Sequence, residues 1–95
     1  MSQLKKFDAA EYLDDLQSQT ELLADALASG NAGYVANALG VIARARGMSE
    51  LARATGLGRQ SLYAALSPDG NPTLDTVLKV AKALGIDLTA KVHTA

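Results

Sequence analysis

Residues 48–67 read Met-Ser-Glu-Leu-Ala-Arg-Ala-Thr-Gly-Leu-Gly-Arg-Gln-Ser-Leu-Tyr-Ala-Ala-Leu-Ser, two short apolar-spaced runs about a turn glycine. No other segment constrains the fold as strongly, because each position has its own physical task. Ala52 is small where a first helix would cross a second. Gly56 stands where the connecting turn needs a positive φ, which a Cβ makes costly. Leu51, Leu57, Leu62 and Ala65 are apolar where both helices must face a core. Between them Gly58, Arg59, Gln60, Ser61, Tyr63 and Ala64 are small or hydrogen-bonding and fall on the outer face of the second helix. A pair packed only for stability has no need of that cluster at one helix start. The spacing predicts a DNA-binding helix-turn-helix; a plain αα-hairpin, which also needs a glycine and apolar spacing, is the alternative.

Ninety-five residues make one small domain. Phe7, Tyr12, Tyr34 and Tyr63 are its only aromatic residues, so the core must be built from Leu, Ala, Ile and Val, a composition that favours helices. No cysteine is present, which removes disulfides and thiolate metal sites and suits a reducing cytoplasm. No apolar run approaches membrane-spanning length, and the N-terminus has no signal-peptide core.

A net charge of −1 looks wrong for a DNA binder, but the average hides a division. Residues 1–30 carry two lysines against six acidic residues, residues 31–67 carry four arginines against Glu50 alone, and residues 68–95 balance. Phosphate neutralisation needs a local positive face rather than a basic whole. The acidic N-terminal part would repel DNA and is expected to point away from it.

Residues 1–6 read as a tail. Asp8 can cap a short helix through about Leu16, with Phe7 stapled to Tyr12. Ser18 to Glu21 has capping-box spacing and opens a helix with Leu22, Leu23, Ala26 and Leu27 on one stripe, ended by Gly30. Asn31 caps the next helix, which runs to about Arg46 with Tyr34, Val35, Ala38, Leu39, Ile42 and Ala43 on one side. Within the helix-turn-helix, Ser49 caps a helix to Thr55 and the recognition helix spans about Arg59 to Leu66. Residues 67–72 form a turn, and Thr73 caps a last helix with Leu74, Val77, Leu78, Ala81 and Leu84 apolar, stopped by Gly85. Ile86, Leu88, Ala90 and Val92 then alternate with Asp87, Thr89, Lys91 and His93, the period of a β-strand. No second strand-like segment exists to pair with it, so it frays or pairs with another polypeptide, the same strand of a second copy being the obvious one.

Arg59 and Gln60 sit at the helix end that enters the major groove, where Arg pairs with guanine and Gln with adenine. Ser61, Tyr63 and Ala64 are further contact candidates, with Tyr63 equally able to pack inward. Ser49 and Ser67 flank the motif, as phosphate contacts or as caps alone. Arg44, Arg46 and Arg53 are phosphate candidates or solvated helix ends. An enzyme is not expected. His93 is the only histidine, Asp14 and Asp15 diverge by about 100° on a helix, and no phosphate loop, metal cluster or nucleophile–base pair is present.

Beyond these local features, Phe7-Asp8-Ala9-Ala10-Glu11-Tyr12-Leu13, Ile42-Ala43-Arg44-Ala45-Arg46-Gly47-Met48, the run from Gly58 to Ser67, Gly70-Asn71-Pro72-Thr73-Leu74 and Ala83-Leu84-Gly85 resemble the addiction-module antidote proteins. These are small antitoxins with a Cro/C1-type (XRE) helix-turn-helix, similar to HigA antitoxins. The resemblance spans about Phe7 to Val92, with fewer matches just after Leu13. It implies a type II antitoxin that neutralises a RelE/ParE-like toxin, often a HigB-like mRNA interferase, and represses its own operon as a dimer. Residues 1–30, acidic as they are, would suit a basic toxin, since opposite fields steer association.

The combined expectation is an all-α, lambda-repressor-like domain of five or six helices with a short C-terminal strand. Residues 1–30 form an acidic helical extension of the same unit, 31–85 the DNA-binding domain, and 86–95 a strand or tail available for dimerisation. The expected partners are palindromic operator DNA, a second copy and a toxin, with no cofactor, metal, membrane or small-molecule substrate. A phage-type repressor without a toxin, and a protein-interaction domain whose helix-turn-helix no longer binds DNA, are the alternatives.

Overall fold

The computed structural model describes residues 15–93, which form five helices: α1 (Leu16–Ser29), α2 (Ala32–Arg46), α3 (Met48–Thr55), α4 (Arg59–Ala65) and α5 (Leu74–Ala83). The helix expected from Asp8 lies outside the described residues, except for its last two: Asp15 is the N-cap of α1 and Leu16 its first residue.

The start of α1 departs from expectation. Asp15, not Ser18, is the N-cap: its Oδ1 accepts the Ser18 N–H at 2.7 Å, and its Oδ2 accepts the Ser18 hydroxyl at 3.3 Å. A carboxylate there satisfies a free amide and faces the positive end of the helix dipole, so the helix begins earlier. Asn31 and Thr73 cap α2 and α5 as expected, accepting from the amides of Tyr34 and Thr76.

Helix α2 is the centre of the fold. Ala36, Ala38, Leu39, Gly40, Val41, Ile42 and Ala43 are all buried, a wider surface than the stripe predicted. A helix apolar around most of its circumference is one surrounded by others. On one side α1 contributes Leu23 and Ala26; on the other α3, α4 and α5 contribute Leu51, Leu62 and Val80. Gly40 permits the closest approach: a Cβ there would collide with the carbonyl oxygen of Leu66, just past α4.

Helix α5 also turns a different face inward. Val80, Ala81 and Leu84 are buried, with Val77 packed at the edge, while Leu74 is 71% exposed and Leu78 half exposed. The apolar arc is wider than its contact with α3, so its outer members stay in water.

Polar ties hold α1 to α2. At one end the Tyr34 hydroxyl donates to Asp25 Oδ2 at 2.6 Å. That hydrogen bond, with burial and the Asp25 charge adding to it, raises the Tyr34 pKa above the ordinary phenol value. The folded state thus holds the proton more tightly than the unfolded chain. The contribution is present below the unfolded phenol range near 10 and is lost as pH rises through the folded value. Urea melts at pH 8 and above pH 10 should show extra alkaline destabilisation in the native protein, absent in Tyr34→Phe.

Candidate nucleic-acid interface

Helices α3 and α4 are joined by Gly56, Leu57 and Gly58. Gly56 adopts φ 76°, the left-handed conformation expected of it, and its amide donates to Ala52 O at 2.9 Å. Thr55 stitches the same corner: its hydroxyl donates to Leu51 O at 2.8 Å and its oxygen accepts the Leu57 N–H at 3.2 Å. Thr55 is not among the expected turn residues, although a hydroxyl two residues before a turn amide is a recognisable local signal. Leu51 and Leu62 are buried, while Ala52, Leu57 and Ala65 are partly buried.

That anchoring sets which residues of α4 face outward. With Leu62 only 1% exposed, Arg59, Gln60, Ser61, Tyr63 and Ala64 are all exposed. Tyr63 is 45% exposed, so its ring is not enclosed in the core. The side chains of Arg59 and Gln60 make no hydrogen bond or ion pair among the described residues.

The flanking serines differ. Ser49 is not the cap of α3: the helix starts at Met48, with Gly47 at the cap position and no side-chain cap hydrogen bond. Gly47, at φ 115°, turns the chain directly from α2 into α3, and its carbonyl accepts the Leu51 N–H at 3.1 Å. Ser49 is therefore an exposed residue of the first turn of α3. Ser67 is half-buried, and its hydroxyl donates to Ala64 O at 3.1 Å.

The three other arginines separate as well. Arg44 is exposed. Arg53 pairs with Glu50 at 2.9 Å, with both side chains mostly in water, where such a pair adds little stability. Arg46 is a cross-tie: its Nε donates to Gln19 Oε1 and its Nη1 to Leu84 O, each at 3.0 Å. It links α1, α2 and the end of α5, so it is more than a solvated helix end. No sequence signal marks a partner 27 residues away.

The segment after α5 differs from the rest. Ile86 donates its amide to Ala81 O and packs on the core, but residues 87–93 are irregular. The alternating pattern forms no strand within the single chain, where no other extended segment of the described residues offers a ladder.

Residues 3–92 match the family described as "Probable addiction module antidote protein". The chain belongs to that family. A Haemophilus influenzae protein described as uncharacterized is 49% identical over 84 residues, covering 88% of this chain and 87% of that one. No solved structure matches. Membership in an antidote family implies a toxin as partner in general terms. No helix among the described residues is long and apolar enough to cross a membrane.

Proposed function

We propose that the protein is a HigA-like, DNA-binding antitoxin of a type II toxin–antitoxin module, acting in the cytoplasm by binding rather than catalysis. In this reading α3 and α4 are an XRE-type, lambda-repressor-like helix-turn-helix. A homodimer places two α4 helices in successive major grooves of its own operator, about 34 Å apart. Arg59 and Gln60 read base edges, Ser61, Tyr63 and Ala64 contact neighbouring groups, and Ser49 and Ser67 lie nearest the phosphates. The toxin is a basic RelE/HigB-like protein drawn to the acidic N-terminal part.

The observation that carries the DNA half is the outer face of α4. Arg59, Gln60, Ser61, Tyr63 and Ala64 are exposed about one buried anchor, Leu62, and the arginine among them has no acidic partner in the described residues. Family membership supports the antitoxin half. Because α1 buries Leu23 and Ala26 in the core, removing residues 1–30 would destroy the fold rather than test toxin binding. Reversal of the exposed Glu21 to Lys is the milder probe, read as slower association with the toxin.

The deciding experiment is fluorescence anisotropy with DNA from upstream of the gene, at two salt concentrations. Binding should weaken with salt, and Arg59→Ala should cost about 1–3 kcal/mol per half-site. Binding indifferent to Arg59, or absent, would make the α3–α4 pair a scaffold for protein contacts.

A further inference from the structure

The C-terminal segment carries a pattern that fits one particular partner. Residues 87–93 make no backbone hydrogen bond among the described residues, so a run of amides and carbonyls lies open. Its apolar residues are open too: Leu88 is 37% and Val92 85% exposed. Beside it runs a groove of about 600 Å³ between the tail and α1, its α1 wall formed mainly by Leu23, Ala24 and Leu27 and its other wall by tail residues of both faces, Asp87, Thr89 and Lys91 included. An open edge next to an apolar groove is a template for strand addition.

The sequence of the edge is complementary to itself. When two copies run antiparallel about a twofold axis at Thr89, Asp87 of one lies opposite Lys91 of the other, and Lys91 opposite Asp87. Thr89 meets Thr89. On the other face Ile86 lies opposite Val92 and Leu88 opposite Ala90. Shifting the pairing by one residue would place apolar side chains against polar ones along the segment, because the side-chain period is two. Shifting the axis by two residues, to Asp87 or Lys91, sets like charges against each other.

We infer that residues 86–92 pair with the same residues of a second copy as an antiparallel ribbon centred on Thr89, whose apolar face closes over the groove beside α1. The contact is isologous, as a twofold dimer requires. A two-stranded ribbon alone is marginal in water, and the groove supplies the apolar support it lacks. The inference rests on the dimeric reading above and names the surface that makes the dimer.

Because the chain has no cysteine, single engineered cysteines report the register directly. In full-length protein, Thr89→Cys should oxidise to a disulfide-linked dimer. Lys91→Cys should not, since its own counterpart lies four residues along the partner strand, about 13 Å away and beyond disulfide reach. In sedimentation equilibrium Asp87→Lys should weaken the dimer about tenfold, because two attractive pairs become two like-charge pairs. Adding Lys91→Asp to that variant should restore it, which a general loss of folding would not allow. A dimer whose cross-linking peaks elsewhere than 89, or that ignores the charge reversal, overturns the ribbon and leaves the dimeric reading standing. A monomer at all concentrations overturns both. Cross-linking at residue 89 only to a co-expressed toxin assigns the edge to the toxin and overturns the self-pairing.

Discussion

Gly40→Ala should melt roughly 12–24 °C below the native protein, from a loss of about 3 kcal/mol in a domain of this size. Two effects oppose one another at this position. Inside a helix, alanine is favoured over glycine by about 1 kcal/mol, so propensity alone predicts a gain. Packing predicts the reverse, because the added Cβ would lie on the carbonyl oxygen of Leu66, with the Leu66 carbonyl carbon only 3.1 Å away. A backbone group cannot rotate out of the way as a side chain can. The nearest relief is to move α2 away from the end of α4, which would open contacts made by Leu39, Ile42, Leu62 and Leu66. Overpacking should therefore win. Thermal denaturation followed by circular dichroism decides it from the sign alone: a rise in Tm would mean that α2 and the end of α4 do not approach as described.

Arg46→Ala should lose about 2 kcal/mol of stability while leaving DNA affinity and its salt dependence unchanged in the folded protein. The guanidinium makes two hydrogen bonds, to Gln19 Oε1 and to the Leu84 carbonyl. Hydrogen bonds to a charged group are each worth about 1.5–3 kcal/mol when removal strands the partner. The exposed side of Arg46 lets water replace part of that, which brings the total below the roughly 3 kcal/mol that two such bonds would give at least. Gln19 is 1% exposed and cannot reach solvent without moving α1. Lysine should rescue poorly, because a single ammonium cannot span two acceptors as the planar fork does. Urea denaturation and the anisotropy titration together separate Arg46 from Arg59. Arg46→Ala should fail in the first and pass the second, and Arg59→Ala should do the opposite. A loss of salt dependence in Arg46→Ala would return Arg46 to the phosphate contacts.

These two arginines show where sequence reasoning reaches and where it stops. Arg59 follows a turn glycine and precedes Leu62 by three residues, so its outward position is encoded locally by helical period. Arg46 also sits in a recognisable place, the last turn of a helix, where a cation suits the dipole. Its actual partners come from α1 and from just after α5, and no local rule relates those segments. Gly40 is a similar case. In sequence it is a helix-weakening residue, and only the passage of Leu66 explains why a side chain is excluded.

The ends of elements divide in the same way. Asn31, Gly56 and Thr73 behave as their side chains or missing side chains require, because caps and tight turns are satisfied within a few residues. Ser18 and Ser49 had adequate capping chemistry, yet Asp15 and Gly47 take those places. Asp15 brings a charge that faces the helix dipole, and Gly47 lets the chain turn from α2 directly into α3.

The sequence by itself determined that the chain is helical, where its turns fall, and that the second helix of residues 48–67 turns polar side chains outward, since propensity, period and backbone sterics act over a few residues. Only the tertiary structure decided which apolar residues become core and which stay exposed, and which charged groups are bound within the fold. Those outcomes depend on the approach of segments tens of residues apart. Leu74 and Leu78 remain in water because α5 meets α3 along a narrower face than its apolar arc, and Arg46 is held because three helices converge on it.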